Sequence, residues 1–222
     1  MKKMKDRTLR IGSIDFDAPE VKNDRTLIEK LVDYSFFTLD ALPPSYRSDR
    51  DFMLTVIQNH GQAYGRTLEY ASLELSADKE LVLAAVSKDG LALEYAASKL
   101  RNDKDVVMAA VKQHGEALRF ASDALKADKA VVLAAVRQFG WALEYAASEL
   151  RDDKEVVLAA IRHHDGNELI YASDRLKGDK EVVLAAVTRN GRALRYASDT
   201  LKSDKEVVMA AVKQDGSALS DA

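Results

Sequence analysis

A nine-residue stretch recurs along the chain and constrains its fold more than any other feature. The copy that begins at Asp153 reads D-K-E-V-V-L-A-A-I. Related copies begin at Asp78, Asp103, Asp128, Asp153, Asp179 and Asp204. Successive copies lie 25 residues apart, except for one step of 26 residues between Asp153 and Asp179. A fixed period of this length is typical of a solenoid, in which stacked units share one core.

The composition of one copy predicts a pair of helices. With the Asp counted as position 1, its carboxylate is a good N-cap, because it accepts a hydrogen bond from a free N–H of the first turn. Positions 4 to 9 read V-V-L-A-A-V in most copies. The glycine at position 13, as at Gly140, is expected to end this helix in the left-handed conformation. The same expectation holds for Gly90, Gly115, Gly191 and Gly216.

A second apolar pattern, A-L-x-Y-A-S-x-x-L, follows the glycine. Leu143, Ala146, Ala147 and Leu150 have the i, i+3, i+4, i+7 spacing of one helical stripe. The first helix is apolar nearly all round, so it must be covered on several sides, which stacked neighbours achieve. We therefore predict an all-α fold, an α-solenoid of tandem two-helix repeats of about 25 residues.

The repeat divides the chain into three regions. Residues 1–23 are predicted to be an N-terminal cap or a flexible segment, 24–77 two divergent repeats, and 78–222 six regular repeats with the last one truncated. A four-residue insertion within Gly61–Arg66 is expected to be a loop. Arrays normally end in a unit with a polar outer face, and the last repeat has none. The sequence therefore predicts either that the natural chain continues beyond Ala222 or that this C-terminal repeat self-associates, and it favours both over fraying of the last helix.

One family has this pattern. The sequence L-R-x-D-K-E-V-V-L-A-A-V-x-x-x-G-x-A-L-x-Y-A-S, found from Leu150 to Ser173 with one inserted residue, resembles a bacterial helical-repeat family called domain of unknown function (DUF) 4116. The resemblance covers about Asp49 to Ala222. It implies the repeat architecture, and the family carries no assigned activity that transfers to this chain.

Composition and motifs exclude several classes of function. The chain has no cysteine, so it has neither a disulfide framework nor a thiolate metal site. No apolar run approaches the ~18 residues of a membrane span. The sequence has no phosphate loop, dinucleotide fingerprint, zinc motif or nucleophile elbow. We expect a cytoplasmic protein that has no membrane segment, binds no cofactor and is not an enzyme.

A line of basic residues suggests an alternative function. Lysine follows most of the position-1 Asp residues, and position 24 is also basic. The residues at position 24 are Arg101, Lys126, Arg151, Lys177 and Lys202. Such a line can bind phosphates. Acidic residues alternate with it and the net charge is −3, so a self-neutralised edge is the favoured interpretation. Nucleic-acid or polyanion binding remains one alternative, and an enzyme built on the array is another.

Function on an array is expected where the units differ. Positions 12 and 14, beside the glycine, hold two large aromatic residues, Phe139 and Trp141, in one unit only. With Arg137 nearby, they match the composition of binding hot spots. A His163–His164 metal site is disfavoured, because adjacent residues on a helix point ~100° apart.

We predict a non-catalytic scaffold for protein–protein interaction, with a protein partner of unknown identity. The predicted partner-binding residues are Phe139, Trp141, Arg137, His163, His164 and Tyr64.

Overall fold

The computed structural model describes residues 14–16, 18–34, 36–59 and 67–222. These residues form α-helices and 3-10 helices, and no strand occurs among them. A complete unit has a ten-residue long helix at positions 2–11, a 3-10 helix at positions 13–18 and a four-residue short helix at positions 21–24. Units 1 to 8 begin at Asp24, Asp49, Asp78, Asp103, Asp128, Asp153, Asp179 and Asp204. The predicted all-α solenoid is confirmed.

The α-helices are numbered in chain order, so that the odd numbers are short helices and the even numbers are long ones. They are α1 (Pro19–Lys22), α2 (Arg25–Tyr34), α3 (Pro44–Arg47), α4 (Arg50–Asn59), α5 (Leu73–Ser76), α6 (Lys79–Lys88), α7 (Ser98–Arg101), α8 (Lys104–Gln113), α9 (Asp123–Lys126), α10 (Lys129–Gln138), α11 (Ser148–Arg151), α12 (Lys154–His163), α13 (Asp174–Lys177), α14 (Lys180–Arg189), α15 (Asp199–Lys202) and α16 (Lys205–Gln214).

The 3-10 helices lie between a long helix and the next short one. Within the described residues they are Phe36–Ala41, Gly90–Tyr95, Gly115–Phe120, Gly140–Tyr145, Asn167–Tyr171, Gly191–Tyr196 and Gly216–Asp221, together with residues 67–70 of unit 2. Long helices pack on long helices and 3-10 helices on 3-10 helices of the adjoining units. Each layer therefore continues from unit to unit along the array.

The Asp at position 1 is the N-cap, as predicted. Asp153 Oδ1 accepts hydrogen bonds from the N–H groups of Glu155 and Val156, at 2.9 and 3.2 Å. The corresponding Asp caps the long helix in units 3, 4, 5, 7 and 8. The cap fixes where each long helix begins, and so fixes the register of the apolar positions behind it.

The second predicted helix is divided into two pieces. Ala146 and Ala147 are extended, so Leu143 lies on the 3-10 helix and Leu150 on α11 rather than on one continuous stripe. The residue at position 20 explains the break. Ser122 donates its N–H to the Arg101 carbonyl of the preceding unit at 2.9 Å and caps α9 with its hydroxyl. These bonds to a neighbour and to the next helix replace the bonds of a continuous helix.

The predicted role of the position-13 glycines was wrong. Gly166 is the one glycine with positive φ among the described residues, and the long helices end on an extended residue such as Phe139. Glycine is required for a different reason. A Cβ atom at Gly90, Gly115 or Gly191 would lie 2.3 to 2.4 Å from the carbonyl oxygen at position 8 of the next long helix. These glycines let adjacent units approach closely.

The core runs without interruption through all eight units. In unit 5, Val131, Val132, Ala135 and Val136 are fully buried at positions 4, 5, 8 and 9. Leu143, at position 16, is also fully buried. The same positions are buried in units 3, 4, 6 and 7. Burial of each large apolar side chain is worth ~1.5–3 kcal/mol, so stability is spread along the array.

The residues before Asp24 have the same arrangement as the second half of a unit. Phe16 lies where units 2 to 7 have tyrosine or phenylalanine at position 18, and it is buried in the core. α1 occupies positions 21–24, with Pro19 at its first turn. Pro44 has the same place in α3. Proline is favoured there because its missing N–H would be unpaired in any case.

Candidate protein-interaction surface

The junction between units 5 and 6 departs from the pattern of the other units. Unit 6 has one inserted residue after α12, between His163 and Asn167. Gly166 then takes a left-handed conformation, with φ of 90°. The inserted backbone brings a different set of side chains against Gly140 of unit 5. A Cβ atom there would lie 2.6 Å from the His164 ring and 2.9 Å from Glu168 Cγ.

Trp141 and Tyr171 form the aromatic part of this junction. Their ring centroids are 5.6 Å apart with planes at 74°, an edge-to-face contact. Trp141 is half-buried at position 14 of unit 5, and Tyr171 is half-buried at position 18 of unit 6. Tyr171 also packs against the core. Burial raises the pKa of its hydroxyl, and the neighbouring Glu144 carboxylate raises it further. The Tyr171 hydroxyl therefore stays neutral.

Ile170 extends this apolar surface. It lies beside Tyr171 at position 17, and 38% of its surface is exposed. Position 17 is polar in the other units from unit 2 onward, where the residues are Glu69, Glu94, Arg119, Glu144, Arg195 and Ser220. The exposed isoleucine is therefore not required by the repeat. We call Trp141, Ile170 and Tyr171 the aromatic patch.

A groove borders the aromatic patch at Tyr171. It encloses about 230 Å³ and is open to solvent. It is lined by Ser148, Arg151, Tyr171, Ala172, Ser173 and Asp174. An apolar anchor beside polar groups of both charge signs is the arrangement expected of a protein-binding surface, with a packed centre and a polar rim.

The other residues predicted to bind a partner are placed as follows. Phe139 is half-buried and packs against the core, with its ring centroid 6.4 Å from that of His164. Arg137 and His163 are exposed, and His164 is half-buried. Tyr64 lies outside the described residues. Of these side chains, the structure brings Phe139 and His164 together, whereas Trp141 meets Tyr171 instead.

Sequence reasoning missed Glu168. This carboxyl group is fully buried at position 15, where five other units have a fully buried alanine. Those residues are Ala92, Ala117, Ala142, Ala193 and Ala218. The Gly166 N–H donates to Glu168 Oε2 at 2.9 Å, whereas Oε1 is buried without a partner. The signal was the Glu that replaces the Ala of the A-L-x-Y pattern, at Glu168-Leu169-Ile170-Tyr171.

The environment of Glu168 disfavours its charged form. Burial raises its pKa to about 7, and the nearby Asp165 carboxylate adds to the rise. His164 Nε2 is also buried without a hydrogen-bond partner. Two buried polar atoms without hydrogen-bond partners, Glu168 Oε1 and His164 Nε2, thus lie at the junction of units 5 and 6. Perturbed groups of this kind occur most often at functional sites.

The position-2 part of the basic line pairs with carboxylates when the units stack. Lys129 Nζ lies 2.7 Å from Asp153 and 2.8 Å from Glu155 of the next unit. Lys154 Nζ forms the same pair of contacts with Asp179 and Glu181. Most position-2 lysines thus contact two carboxylates of the next unit, in the place where a phosphate could bind.

Two features are absent from the part of the chain that the structure describes. No group of three His, Asp or Glu side chains suited to holding a metal ion occurs among residues 14–16, 18–34, 36–59 and 67–222. Within the same part of the chain, no helix is long and apolar enough to cross a membrane.

The stacked units and their uninterrupted core define a class, the helical-repeat arrays. Within that class, the chain belongs to the family described as domain of unknown function (DUF4116). The family model matches residues 24–76, 49–97, 78–126, 128–177, 163–200 and 179–222. No curated protein and no solved structure matches the chain.

Proposed function

We propose that the protein is a non-catalytic scaffold that binds a protein partner through the aromatic patch. The observation that carries this proposal is the exposed Ile170 beside the Trp141–Tyr171 contact. The positions of Ile170 and Trp141 are mostly polar elsewhere in the array. Aromatic residues are enriched in binding hot spots, where they supply apolar contact area at small entropic cost. The rest of the array holds this surface in place through its continuous core.

The charge pattern supports a protein partner over a nucleic acid. The position-2 lysines are paired with carboxylates of the next unit, and the net charge is −3. Binding to a phosphate backbone would need free cations along the line. A gel shift that weakens steeply as salt rises would support the nucleic-acid alternative instead.

The repeat itself supplies substitutions that test the patch without disturbing the fold. Leu91 has the place of Trp141 in unit 3, and Arg195 has the place of Ile170 in unit 7. The double variant Trp141→Leu/Ile170→Arg therefore uses residues that the architecture already accepts. A matched control, Leu91→Ala/Arg195→Ala, changes the same two positions outside the junction.

The experiment is crosslinked affinity capture with the intact chain, the double variant and the control. Proteins retained by the intact chain and the control, but lost with the double variant, are the expected partners. Each is then added to the free chain, and the fluorescence of Trp141, the single tryptophan, should shift on binding. An unchanged set of retained proteins with the double variant would refute the role of the patch.

A further inference from the structure

The long helices of units 3 to 7 present partly exposed apolar side chains along the array. In unit 5, positions 4, 5, 8 and 9 are fully buried, whereas Leu133 and Ala134, at positions 6 and 7, are partly exposed. Position 6 is leucine or methionine and position 7 is alanine in each of these units. All of these side chains are partly exposed apart from Leu158, which is buried. We call positions 6 and 7 of units 3 to 7 the apolar stripe.

A row of cations lies along one edge of the apolar stripe. Positions 10 and 11 follow position 7 by three and four residues, so they lie on the same side of the long helix. Each of units 3 to 7 has one lysine or arginine at position 10 or 11, and an acidic residue at neither. These five residues, which we call the cation row, are Lys88, Lys112, Arg137, Arg162 and Arg189.

The cation row carries charge that the described part of the chain does not neutralise. No carboxylate among the described residues pairs with any of its five side chains. Arg189 donates instead to the Arg162 carbonyl oxygen, which is a neutral acceptor. Position 3 lines the other edge of the stripe, and its acidic residues pair with the position-2 cation of the preceding unit, as Glu155 does with Lys129 at 2.8 Å. This face therefore has an excess of positive charge beside apolar side chains.

Helix stability explains only part of this pattern. Cations near the carboxyl end of a helix interact favourably with its dipole, which accounts for the sign of the cation row. The dipole does not account for the leucine and alanine at positions 6 and 7, because a helix face that contacts only water is normally polar. A continuous, partly exposed apolar surface is typical of an interaction site.

We propose that the apolar stripe and the cation row together bind an acidic amphipathic helix of a partner protein. The apolar face of that helix packs on the stripe, and carboxylates along its edge pair with the cation row. This occupant is favoured over a nucleic acid, because a phosphate backbone has no apolar face to cover the stripe. The surface lies on the long helices, whereas the aromatic patch lies on the 3-10 helices, so the two sites are distinct.

The spacing of the units predicts where the carboxylates of the partner lie. Adjacent long helices are ~8–10 Å apart. Residues seven positions apart on a helix are ~10.5 Å apart along its axis. A partner helix that runs along the array therefore brings acidic residues at i, i+7 and i+14 opposite Lys112, Arg137 and Arg162 in turn.

A synthetic peptide of three heptads tests this arrangement by fluorescence anisotropy with the full chain. The peptide has leucine and alanine on one face, glutamate at one edge position of each heptad, and a fluorescein label. We expect saturable binding. A second peptide has lysine in place of these glutamates, and a third has the same composition with its apolar residues distributed around the helix. Both should bind more weakly than the first peptide, by ~tenfold or more.

Two units already lack a cation at position 10 and so supply the substitutions for a variant chain. Ser87 and Thr188 have this position in units 3 and 7, where their hydroxyls donate to the carbonyl oxygen of position 6. The variant Arg137→Ser/Arg162→Thr should therefore fold as the unmodified chain does. Its affinity for the acidic peptide should be lower by ~fivefold or more, because two ion pairs are lost.

A matched control removes two lysines from other helices. Lys99→Ala/Lys126→Ala changes the short helices α7 and α9, and should bind the acidic peptide as the unmodified chain does. A further variant, Ala109→Gln/Ala134→Gln, keeps every charge but places bulkier polar side chains on the apolar stripe. Its affinity should also fall. Thermal melts check that each variant is folded.

Three outcomes would overturn the proposal. The first is the absence of saturable binding of the acidic peptide to the unmodified chain. If single-stranded RNA or phosphatidylglycerol vesicles bind instead, the cation row serves a nucleic acid or a membrane surface. The second is equal affinity of the Arg137→Ser/Arg162→Thr variant and its control for the acidic peptide. The third is equal affinity of the first and third peptides, which would show that the apolar stripe takes no part in binding.

Discussion

At the scale of single residues, Glu168 is the group most at odds with its surroundings. Alanine fits position 15 in the neighbouring units, because the 3-10 helix there packs tightly against the adjacent long helices. A buried carboxyl group costs free energy whenever it is ionised. The Gly166 N–H donates a hydrogen bond to one of the two carboxyl oxygens of Glu168.

The contribution of Glu168 to the free energy of unfolding decreases as pH rises. The folded pKa of about 7 lies above the ordinary value of 4.5, so the folded chain holds this proton more tightly than the unfolded chain does. The associated stability is complete below pH 4.5 and is lost as pH rises to about 7. We predict that the free energy of unfolding falls by up to ~3 kcal/mol over this range. The measurement is a set of urea melts between pH 4.5 and 8.

Glu168→Gln is the control, because the amide keeps the volume and an acceptor for the Gly166 N–H but does not ionise in this range. Its stability should be flat where that of the parent chain declines. If the two proteins show the same slope, Glu168 is not the titrating group. Below pH 4 both should lose stability together. Ion pairing with Lys154 lowers the pKa of Asp179, so that stability is present above pH 3.8 and is lost as pH falls further.

At the scale of helices, the position-13 glycines determine how closely neighbouring units pack. We predict that Gly191→Ala destabilises the chain by ~1–3 kcal/mol, because its Cβ would lie 2.4 Å from the Ala211 carbonyl oxygen. Gly216→Ala, at the same position of unit 8, should instead stabilise it by ~0.4–1 kcal/mol through the unfolded chain. Denaturant melts of both variants, at concentrations where the chain is monomeric, check the opposite signs.

A similar loss of stability in both glycine variants would mean that the backbone conformation, and not the neighbouring unit, requires glycine. The sequence alone favoured that interpretation, because a glycine after a helix is most often a left-handed C-cap. The structure shows why the inference failed. The contact that requires Gly191 comes from Ala211, 20 residues later, and a local pattern carries no information about so distant a backbone atom.

The sequence predicted other elements well for equally physical reasons. The Asp caps and the burial of positions 4, 5, 8 and 9 depend on residues within one or two turns of each other. The split of the second helix depends on a bond from Ser122 to Arg101 of another unit, so the spacing of Leu143 and Leu150 could not reveal it. Of the aromatic patch, the sequence identified Trp141. Ile170 and Tyr171 became apparent only when the fold placed Tyr171 against the indole ring.

At the scale of the whole molecule, the stacking predicts an extended particle. From α4 to α16, successive long helices pack on one another, so contacts connect neighbours and not distant units. Packed helices lie ~8–10 Å apart, which places the first and last of eight long helices ~55–70 Å from each other along a straight stack. A compact domain of this length would have a radius of gyration of ~17 Å.

Small-angle X-ray scattering measures this radius directly. At low concentration we expect a value clearly above ~17 Å, with the long tail in the distance distribution that rods produce. A dilution series separates the shape of the single chain from association, because association would also lengthen the particle. A rise in the radius that grows with concentration would report association alone. A radius at or below ~17 Å at the lowest concentration would instead show that the units curl into a compact body.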